Sequence, residues 1–249
     1  MGKLDGKRAI VTGGARGIGR AIAGLIAAEG ADVAVVDALD RREGGAVLRE
    51  IEGHGRRALY KRADVSDESQ VRGMVEEVLG SFGRVDVLVN NAGVLSRAPL
   101  HEMAVGEWDR VLGVNLRGTF LCSRFVLAHM LDRGEGRIIN VASQIGQIGA
   151  AGLSHYSASK GGVIAFTKAL AREAAPRGVL VNAIAPGPIK TGIMPPGSEA
   201  EDRVREAALP VGRFGEAWEV APTAVFLASE DGSYYVGQTL GPNGGDVML

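Results

Sequence analysis

The chain has 249 residues, of which 46% are hydrophobic and 23% are charged, and its formal net charge is −1. This balance is typical of a globular protein with one large α/β domain or two small ones. It leaves no basic footprint for nucleic acid or an anionic membrane, and no apolar run approaches the roughly 20 residues of a transmembrane span. We therefore expect no nucleic-acid partner and no membrane insertion.

The first residues and the single cysteine indicate a cytoplasmic protein. The start, MGKLDGKRAIVTGG, lacks the apolar core and cleavage site of a signal peptide. Cys122 has no partner for an internal disulfide, and its apolar surroundings, TFLCSRFVL, favour a core position over a nucleophilic role. The four histidines are scattered without metal-ligand spacing, so no metal site is predicted.

Strand and helix patterns alternate along the chain. Short apolar runs predict seven strands, in KRAIVTG, ADVAVVD, RALYKRADV, VDVLVNNAG, GRIINVAS, VLVNAIAPG and GQTLGP. Helical spacing occurs between them, in GIGRAIAGLIAAEG, RREGGAVLREIEGHG, DESQVRGMVEEVLGSFG, VGEWDRVLGVNLRGTFLCSRFVLAHMLDRG, HYSASKGGVIAFTKALAREAAPRG and AWEVAPTAVFLASE. This alternation predicts one α/β domain over residues 1–249, a Rossmann-type, doubly wound parallel sheet with helices on both faces.

One stretch departs from the alternation. In PGPIKTGIMPPGSEAEDRVREAALP, residues 186–210, four of the nine prolines precede a single short helical piece. Long ordered loops in compact domains are often lids, so we interpret residues 187–210 as a substrate lid. A mobile surface loop is the alternative.

The first predicted strand leads into a glycine-rich turn, TGGARGIG. Gly13, Gly17 and Gly19 allow a tight turn and a close approach of the backbone to a pyrophosphate. The helix that follows presents free N–H groups and the positive end of its dipole. The turn therefore predicts a dinucleotide site at the carboxyl ends of the strands.

Asp37 ends the second predicted strand, twenty residues after Gly17. A carboxylate there accepts hydrogen bonds from the adenosine ribose and repels a 2′-phosphate, which predicts NAD as the cofactor. Arg16, Arg41 and Arg42 favour the alternative, NADP, because guanidinium groups pair with phosphate.

Tyr156 and Lys160 lie four residues apart in YSASK, one turn apart on one face of a helix. A phenol titrates near 10 in water, and a neighbouring ammonium favours the phenolate. The spacing therefore predicts a proton-transfer pair. His155 points about 100° away on the same helix and is interpreted as structural.

In this order and over nearly the whole chain, the motifs resemble those of the classical short-chain dehydrogenases/reductases. The matching motifs are T-G-x-x-x-G-x-G at 12–19, N-N-A-G at 90–93, the serine thirteen residues before Y-x-x-x-K, and P-G at 186–187. The resemblance implies a catalytic set of Asn115, Ser143, Tyr156 and Lys160. The expected cofactor-binding residues are Thr12, Gly13, Arg16, Gly17, Ile18, Gly19, Asp37, Asp64, Val65, Asn91, Ala92, Gly93, Tyr156, Lys160, Pro186, Gly187, Ile189 and Thr191. The family often reads D-G-G near its C-terminus, where this chain has Asn243, Gly244 and Gly245.

The resemblance also implies a role for each catalytic residue. Tyr156 is the general acid/base, and Lys160 lowers its pKa and hydrogen-bonds the nicotinamide ribose. Ser143 hydrogen-bonds the substrate oxygen. Asn115 kinks its helix and holds a water that leads to the lysine.

The substrate pocket is expected from residues 94–96, 144–153 and 188–194, which are mostly small, apolar or amide-bearing. The loop before Tyr156 has no arginine or lysine at an obvious carboxylate-binding position, so we expect a neutral or mostly apolar carbonyl compound. The main prediction is hydride transfer between NAD(H) and a secondary alcohol or ketone.

The alternatives are an NADPH-dependent reductase of 3-oxoacyl thioesters, on acyl carrier protein or CoA, and a regulatory protein that binds NAD without catalysis. A sugar epimerase is disfavoured by the chain length and the glycine spacing. Family members often form homotetramers through two long helices, here 108–131 and 156–174. Both carry apolar or small residues on more than one face, so we expect a homotetramer.

Overall fold

The structure is a computed structural model, which describes residues 2–192 and 199–249. The strands are β1 (Arg8–Thr12), β2 (Asp32–Asp37), β3 (Ala58–Arg62), β4 (Val87–Asn90), β5 (Gly136–Val141), β6 (Val179–Ile184), β7 (Ile189–Lys190), β8 (Gly215–Glu216) and β9 (Thr239–Leu240). The helices are α1 (Gly17–Ala28), α2 (Gly45–Gly53), α3 (Glu68–Phe82), α4 (Val105–Leu112), α5 (Gly118–Arg133), α6 (Ile145–Ile148), α7 (Ser154–Ala174), α8 (Glu199–Ala207) and α9 (Ala217–Ala228).

Seven strands form one parallel sheet in the order β3-β2-β1-β4-β5-β6-β9. The strand order reverses at β1, which lies between β2 and β4. The prediction of a Rossmann-type, doubly wound sheet of about seven strands is confirmed. In such a sheet the crevice for ligands opens at the carboxyl ends of the strands at the reversal, here beyond Thr12 and Asn90.

The apolar core lies in two layers, one on each face of the sheet. Successive strand residues point to opposite faces. Val11 belongs to the layer covered by α1, α2 and α9, and Ile10 belongs to the layer covered by α3, α5 and α7. Because both faces are covered, the central strands are continuous apolar runs rather than alternating ones.

Several element boundaries follow from local chemistry. Asp67 is the N-cap of α3, since its carboxylate accepts hydrogen bonds from the backbone N–H groups of Ser69 and Gln70. The hydrogen bond from the Ser69 hydroxyl, followed by those from Gln70, lowers the pKa of Asp67 to about 2. The second helix begins at Gly45 rather than near Arg41, because residues 41–44 form turns. The short pair β7–β8 and the one-turn helix α6 are absent from the sequence prediction.

The long helix predicted in the middle of the chain is interrupted at its centre. It runs as α4, a π-helical turn over Gly113–Arg117, and α5. Within the described ranges, Val105–Arg133 is the one helix that is long and apolar enough to cross a membrane, and here it packs against the sheet and α7.

Candidate active site

Ser143, Tyr156 and Lys160 line one cavity of about 340 Å³. Ser143 follows the end of β5, and the tyrosine and the lysine lie one turn apart on α7, as their spacing predicts. Lys160 Nζ lies 5.9 Å from the centroid of the Tyr156 ring and donates a hydrogen bond of 2.7 Å to the carbonyl oxygen of Val141. The structure therefore brings three of the four predicted catalytic side chains to one cavity.

Tyr156 and Lys160 are both buried, and this burial shifts the pKa of each side chain. Burial lowers the pKa of Lys160 to about 8. Burial also raises the pKa of Tyr156, and the opposing influence is a hydrogen bond with the Ser143 hydroxyl. The sequence predicts that Lys160 lowers the pKa of Tyr156, whereas here the net direction is upward. The physical reason is that burial disfavours a charge on either side chain.

Asn115 sits in the π-helical turn and is completely buried. Its Oδ1 accepts a hydrogen bond of 2.8 Å from the backbone N–H of Val94. Its Nδ2 donates to Val94 O at 3.0 Å and to Ser159 Oγ at 3.1 Å. The side chain thus fastens the segment after β4 to α7, and the water predicted for Asn115 stays a prediction.

The glycine-rich turn between β1 and α1 forms the floor of a second cavity, of about 430 Å³. Gly13 and Gly17 have φ values of +62° and +55°, which side chains rarely adopt. A Cβ atom at Gly13 would lie 2.9 Å from Ala92 Cα, and one at Gly19 would overlap Gly13 O. The first turn of α1 holds no acidic residue, so its N–H groups and dipole favour an anion. These features fit a dinucleotide pyrophosphate.

Asp37 lines this second cavity at the end of β2. Its two carboxylate oxygens accept hydrogen bonds from the backbone N–H groups of Ala15, at 3.1 Å, and Leu39, at 3.2 Å. Each oxygen keeps a further lone pair for a ribose hydroxyl. Arg16 also lines the cavity, and Arg41 and Arg42 lie on exposed turns outside its lining.

The two cavities adjoin, because they share wall residues. The predicted residues that line the cofactor cavity are Gly13, Arg16, Gly17, Ile18, Asp37, Asp64, Val65, Asn91, Ala92, Gly93 and Thr191. Pro186, Gly187 and Ile189 line the catalytic cavity with Tyr156 and Lys160, and Ile18, Asn91, Gly93 and Thr191 line both.

Thr12 and Gly19 line neither cavity and shape the turn instead. The Thr12 hydroxyl donates to Val89 O and accepts from the backbone N–H groups of Asn91, at 3.0 Å, and Ala92, at 3.1 Å. It therefore ties β1 to the segment that follows β4.

Several lining residues escaped the sequence analysis. Leu39, Arg110 and Val114 line the cofactor cavity, and Arg97 and Asp246 line the catalytic cavity. Leu39 was discoverable, because it follows Asp37 at the end of β2. The other four come from separate parts of the chain and carry no motif. Residues of the predicted lid that line the catalytic cavity are Gly187, Pro188, Ile189, Thr191, Arg205, Ala208 and Leu209, and residues 193–198 lie outside the described residues.

Two residues that the sequence analysis assigned to structure are buried as expected. Cys122 is in the core, and burial raises its pKa to about 12, so it is not a thiolate near neutral pH. His155 is fully buried, and its Nε2 lies 2.8 Å from Ser96 Oγ. Neither side chain lines the catalytic cavity.

Comparison with known proteins agrees with this geometry. The model of the short chain dehydrogenase family matches residues 7–202. The chain is 42% identical to 3-oxoacyl-[acyl-carrier-protein] reductase FabG of Staphylococcus aureus, over 97% of this chain and 98% of that protein. It is 41% identical to the protein of the same name from Thermotoga maritima, over 99% and 100% of the two chains.

Solved structures extend the comparison to the fold. A short-chain type dehydrogenase/reductase from Mycobacterium marinum superposes with a TM-score of 0.93 at 37% identity, over 99% of this chain and 97% of that one. Levodione reductase superposes with a TM-score of 0.93 at 35% identity, over 97% and 98% of the two chains. The family match and these relatives, together with the parallel sheet and its glycine-rich turn, show that the chain belongs to the short chain dehydrogenase family, oxidoreductases that use a nicotinamide cofactor on hydroxyl and keto groups.

Proposed function

We propose that Tyr156 is the general acid/base of this oxidoreductase and that the reacting carbon–oxygen bond lies against Ser143 and Tyr156. The observation that carries the proposal is the cavity that Ser143, Tyr156 and Lys160 line together, with a wall shared with the glycine-rich crevice. A nicotinamide cofactor, when bound, supplies or accepts the hydride.

In the reducing direction, Tyr156 donates its phenolic proton to the carbonyl oxygen as hydride reaches the carbonyl carbon. The C=O π bond breaks, a C–H and an O–H bond form, and the tyrosine is left as a phenolate. The Ser143 hydroxyl donates a hydrogen bond to the same oxygen and stabilises the charge that develops on it. In the oxidising direction, the phenolate takes the hydroxyl proton.

Lys160 has two roles in this cycle, since it stabilises the Tyr156 phenolate and supplies a proton to it. As an ammonium it stabilises the phenolate, because charges attract more strongly between buried groups than in water. Its pKa of about 8 lies close to neutral pH, so it also exchanges its proton readily. We propose that Lys160 returns a proton to the Tyr156 phenolate after each reduction.

A 3-oxoacyl thioester is the substrate class that the comparisons favour. The relatives named 3-oxoacyl-[acyl-carrier-protein] reductase match almost the entire chain. The catalytic cavity is largely apolar, with Leu95, Ile145, Leu153 and Phe214 among its walls, which suits an acyl chain. This reading replaces the secondary alcohol of the sequence analysis as the leading candidate.

A second candidate, an NAD-dependent dehydrogenase of a small secondary alcohol, is favoured by Asp37. Its carboxylate lines the cofactor cavity at the end of β2 and would repel a 2′-phosphate. Arg16 lines the same cavity and would pair with that phosphate, which supports NADP instead. The comparisons favour NADP. We propose NAD for either substrate class because Asp37 is the feature of this chain that opposes a 2′-phosphate.

The test is a rate comparison with NADH and NADPH on an acetoacetyl thioester and on a simple methyl ketone. We expect Tyr156→Phe to lower kcat at least 100-fold while the dissociation constant of the cofactor changes less than threefold, since general acid–base catalysis contributes about 10²–10⁴-fold. Tyr234→Phe is the matched control, because that ring is 98% exposed. Turnover retained in Tyr156→Phe would refute the role of the phenol.

The homotetramer remains a proposal, as does the cytoplasmic location. On the outer faces of α5 and α7, Phe120 and Phe166 meet edge to face with ring centroids 6.4 Å apart, and Phe120 is 42% exposed. An exposed aromatic on these helices suits a subunit interface. Sedimentation equilibrium of the protein and of Phe120→Glu tests it: we expect a tetramer that the variant dissociates, and a monomeric parent protein contradicts it.

A further inference from the structure

Gln144 adjoins Ser143 and lines the catalytic cavity, and it plays no part in the proton transfer described above. Gln144 is only 4% exposed. Its backbone is held on both sides, since its N–H donates to Pro186 O at 3.1 Å and its carbonyl accepts from Gln147 N at 2.8 Å. The side chain therefore starts from a rigid position beside the reacting group.

The amide of Gln144 has one satisfied end and one unsatisfied end. Its Nε2 donates to the carboxylate of Asp246, 102 positions away in the C-terminal segment. Its Oε1 is buried and has no hydrogen-bond partner among the residues that the structure describes. Buried acceptors are rarely left unpaired in native proteins, so this atom calls for a donor from outside the described chain.

Asp246 decides which end of the amide is unsatisfied. An ionised carboxylate only accepts hydrogen bonds, so the Nε2 end of Gln144 has to face it. The usual ambiguity between the oxygen and nitrogen of a side-chain amide therefore does not arise here. The unpaired end is an acceptor, and the group that pairs with it has to be a donor.

We propose that Gln144 is a specificity-determining residue, whose Oε1 accepts a hydrogen bond from a hydroxyl or amide N–H of the substrate bound in the catalytic cavity. This inference rests on the proposed function, because it requires the substrate to lie against Ser143. The donor has two possible sources: a hydroxyl on the neighbouring carbon of a hydroxyketone or diol, and the amide of the arm that carries an acyl thioester.

Two pairs of ketones separate these sources. Acetoin and 2-butanone differ by one hydroxyl. The acetoacetyl thioester of N-acetylcysteamine differs from S-ethyl acetothioacetate by an amide. We expect kcat/KM to be at least tenfold higher for the donor-bearing member of one pair, and that pair identifies the source. Equal rates within both pairs would overturn the inference while leaving the proposed function intact.

Variants test whether the preference for the donor-bearing substrate comes from the Gln144 side chain. Gln144→Leu removes the acceptor, and we expect the ratio within the preferred pair to fall to about one. Gln147→Leu is the matched control on the adjoining helix α6, outside the cavity lining, and it should keep the ratio. In Asp246→Asn, the asparagine both donates and accepts hydrogen bonds, so it can pair with either end of the Gln144 amide and no longer fixes its orientation. The ratio should fall in this variant too. A ratio that survives in Gln144→Leu refutes the assignment.

A binding measurement tests the role of Gln144 independently of turnover. If no ketone is reduced, the proposed function fails. Calorimetric titration of acetoin and of the N-acetylcysteamine thioester into the cofactor-loaded protein then still shows whether Gln144 contributes to binding. Binding of either compound that Gln144→Leu weakens at least tenfold supports the subsite. Binding of neither compound, or binding that the variant leaves unchanged, overturns it.

Discussion

Replacing Lys160 by methionine should make the protein more stable at pH 7 while it removes activity. Lys160 is 4% exposed, and burial lowers its pKa from 10.5 to about 8. A buried ammonium is costly in this site because its attraction to a phenolate is realised only during catalysis. Methionine has a similar length and no charge, so it fills the same space without that cost.

The magnitude follows from the pKa. A tenfold change in acidity corresponds to about 1.4 kcal/mol, so the drop from 10.5 to about 8 corresponds to about 3 kcal/mol of destabilisation at pH 7. The variant also leaves Val141 O without its hydrogen bond from Nζ, which costs about 1–2 kcal/mol. The net gain should be about 1–2 kcal/mol, or roughly 2–8 °C in Tm for a chain of this size.

The sign of the pH dependence gives a sharper test. Because the folded pKa lies below the unfolded value, the unfolded chain binds more protons between about pH 8 and pH 10.5, so this group makes the folded state more stable as pH rises through that window. Lys160→Met lacks this contribution.

Urea unfolding at pH 7 and pH 9.5 should therefore show an advantage of the variant that shrinks or reverses at the higher pH. Lys168→Met, on an exposed position of α7, is the control and should show no such crossover. A variant less stable at pH 7, or a difference independent of pH, would refute the reasoning.

Three further substitutions test other parts of the site. Gly19→Ala should abolish cofactor binding, measured by fluorescence titration, because its Cβ would overlap Gly13 O, whereas Gly53→Ala, with no atom within 4 Å of its Cβ, should bind normally. Asp37→Asn should raise the NADPH/NADH ratio of kcat/KM at least tenfold, since it removes the charge that repels a 2′-phosphate, and an unchanged ratio would contradict that role of the carboxylate. Ser143→Ala should lower kcat about 100-fold or more with little change in cofactor affinity, because one donor to the developing oxyanion is lost, and a loss below tenfold would count against it.

Much of the fold could be predicted from the sequence, because its determinants are local. Each buried strand is a short apolar run, and the parallel sheet follows from the alternation of strands and helices. The helical period alone places Tyr156 and Lys160 on one face of α7, and the structure agrees. The glycine-rich turn at Gly13, Gly17 and Gly19 could also be predicted. The structure agrees, since Gly13 and Gly17 adopt φ values that other residues avoid, and a Cβ atom at Gly19 would overlap Gly13 O.

What local patterns could not supply is the environment of each group. Whether Lys160 lowers the pKa of Tyr156 depends on burial, which the sequence does not state, and here burial raises the pKa of Tyr156 and lowers the pKa of Lys160. The π-helical turn at Asn115 is similarly invisible in a run that reads as one continuous helix.

By itself, the sequence determined the order of the elements, the glycine-rich turn and the Tyr156–Lys160 pair, because these depend on neighbours a few residues apart. Only the tertiary structure decided that Arg97 enters the catalytic cavity and that Asp246 orients the amide of Gln144. Those contacts join residues from separate parts of the chain, and their energies come from burial and from hydrogen bonds that exist only once the sheet has brought the strand ends together.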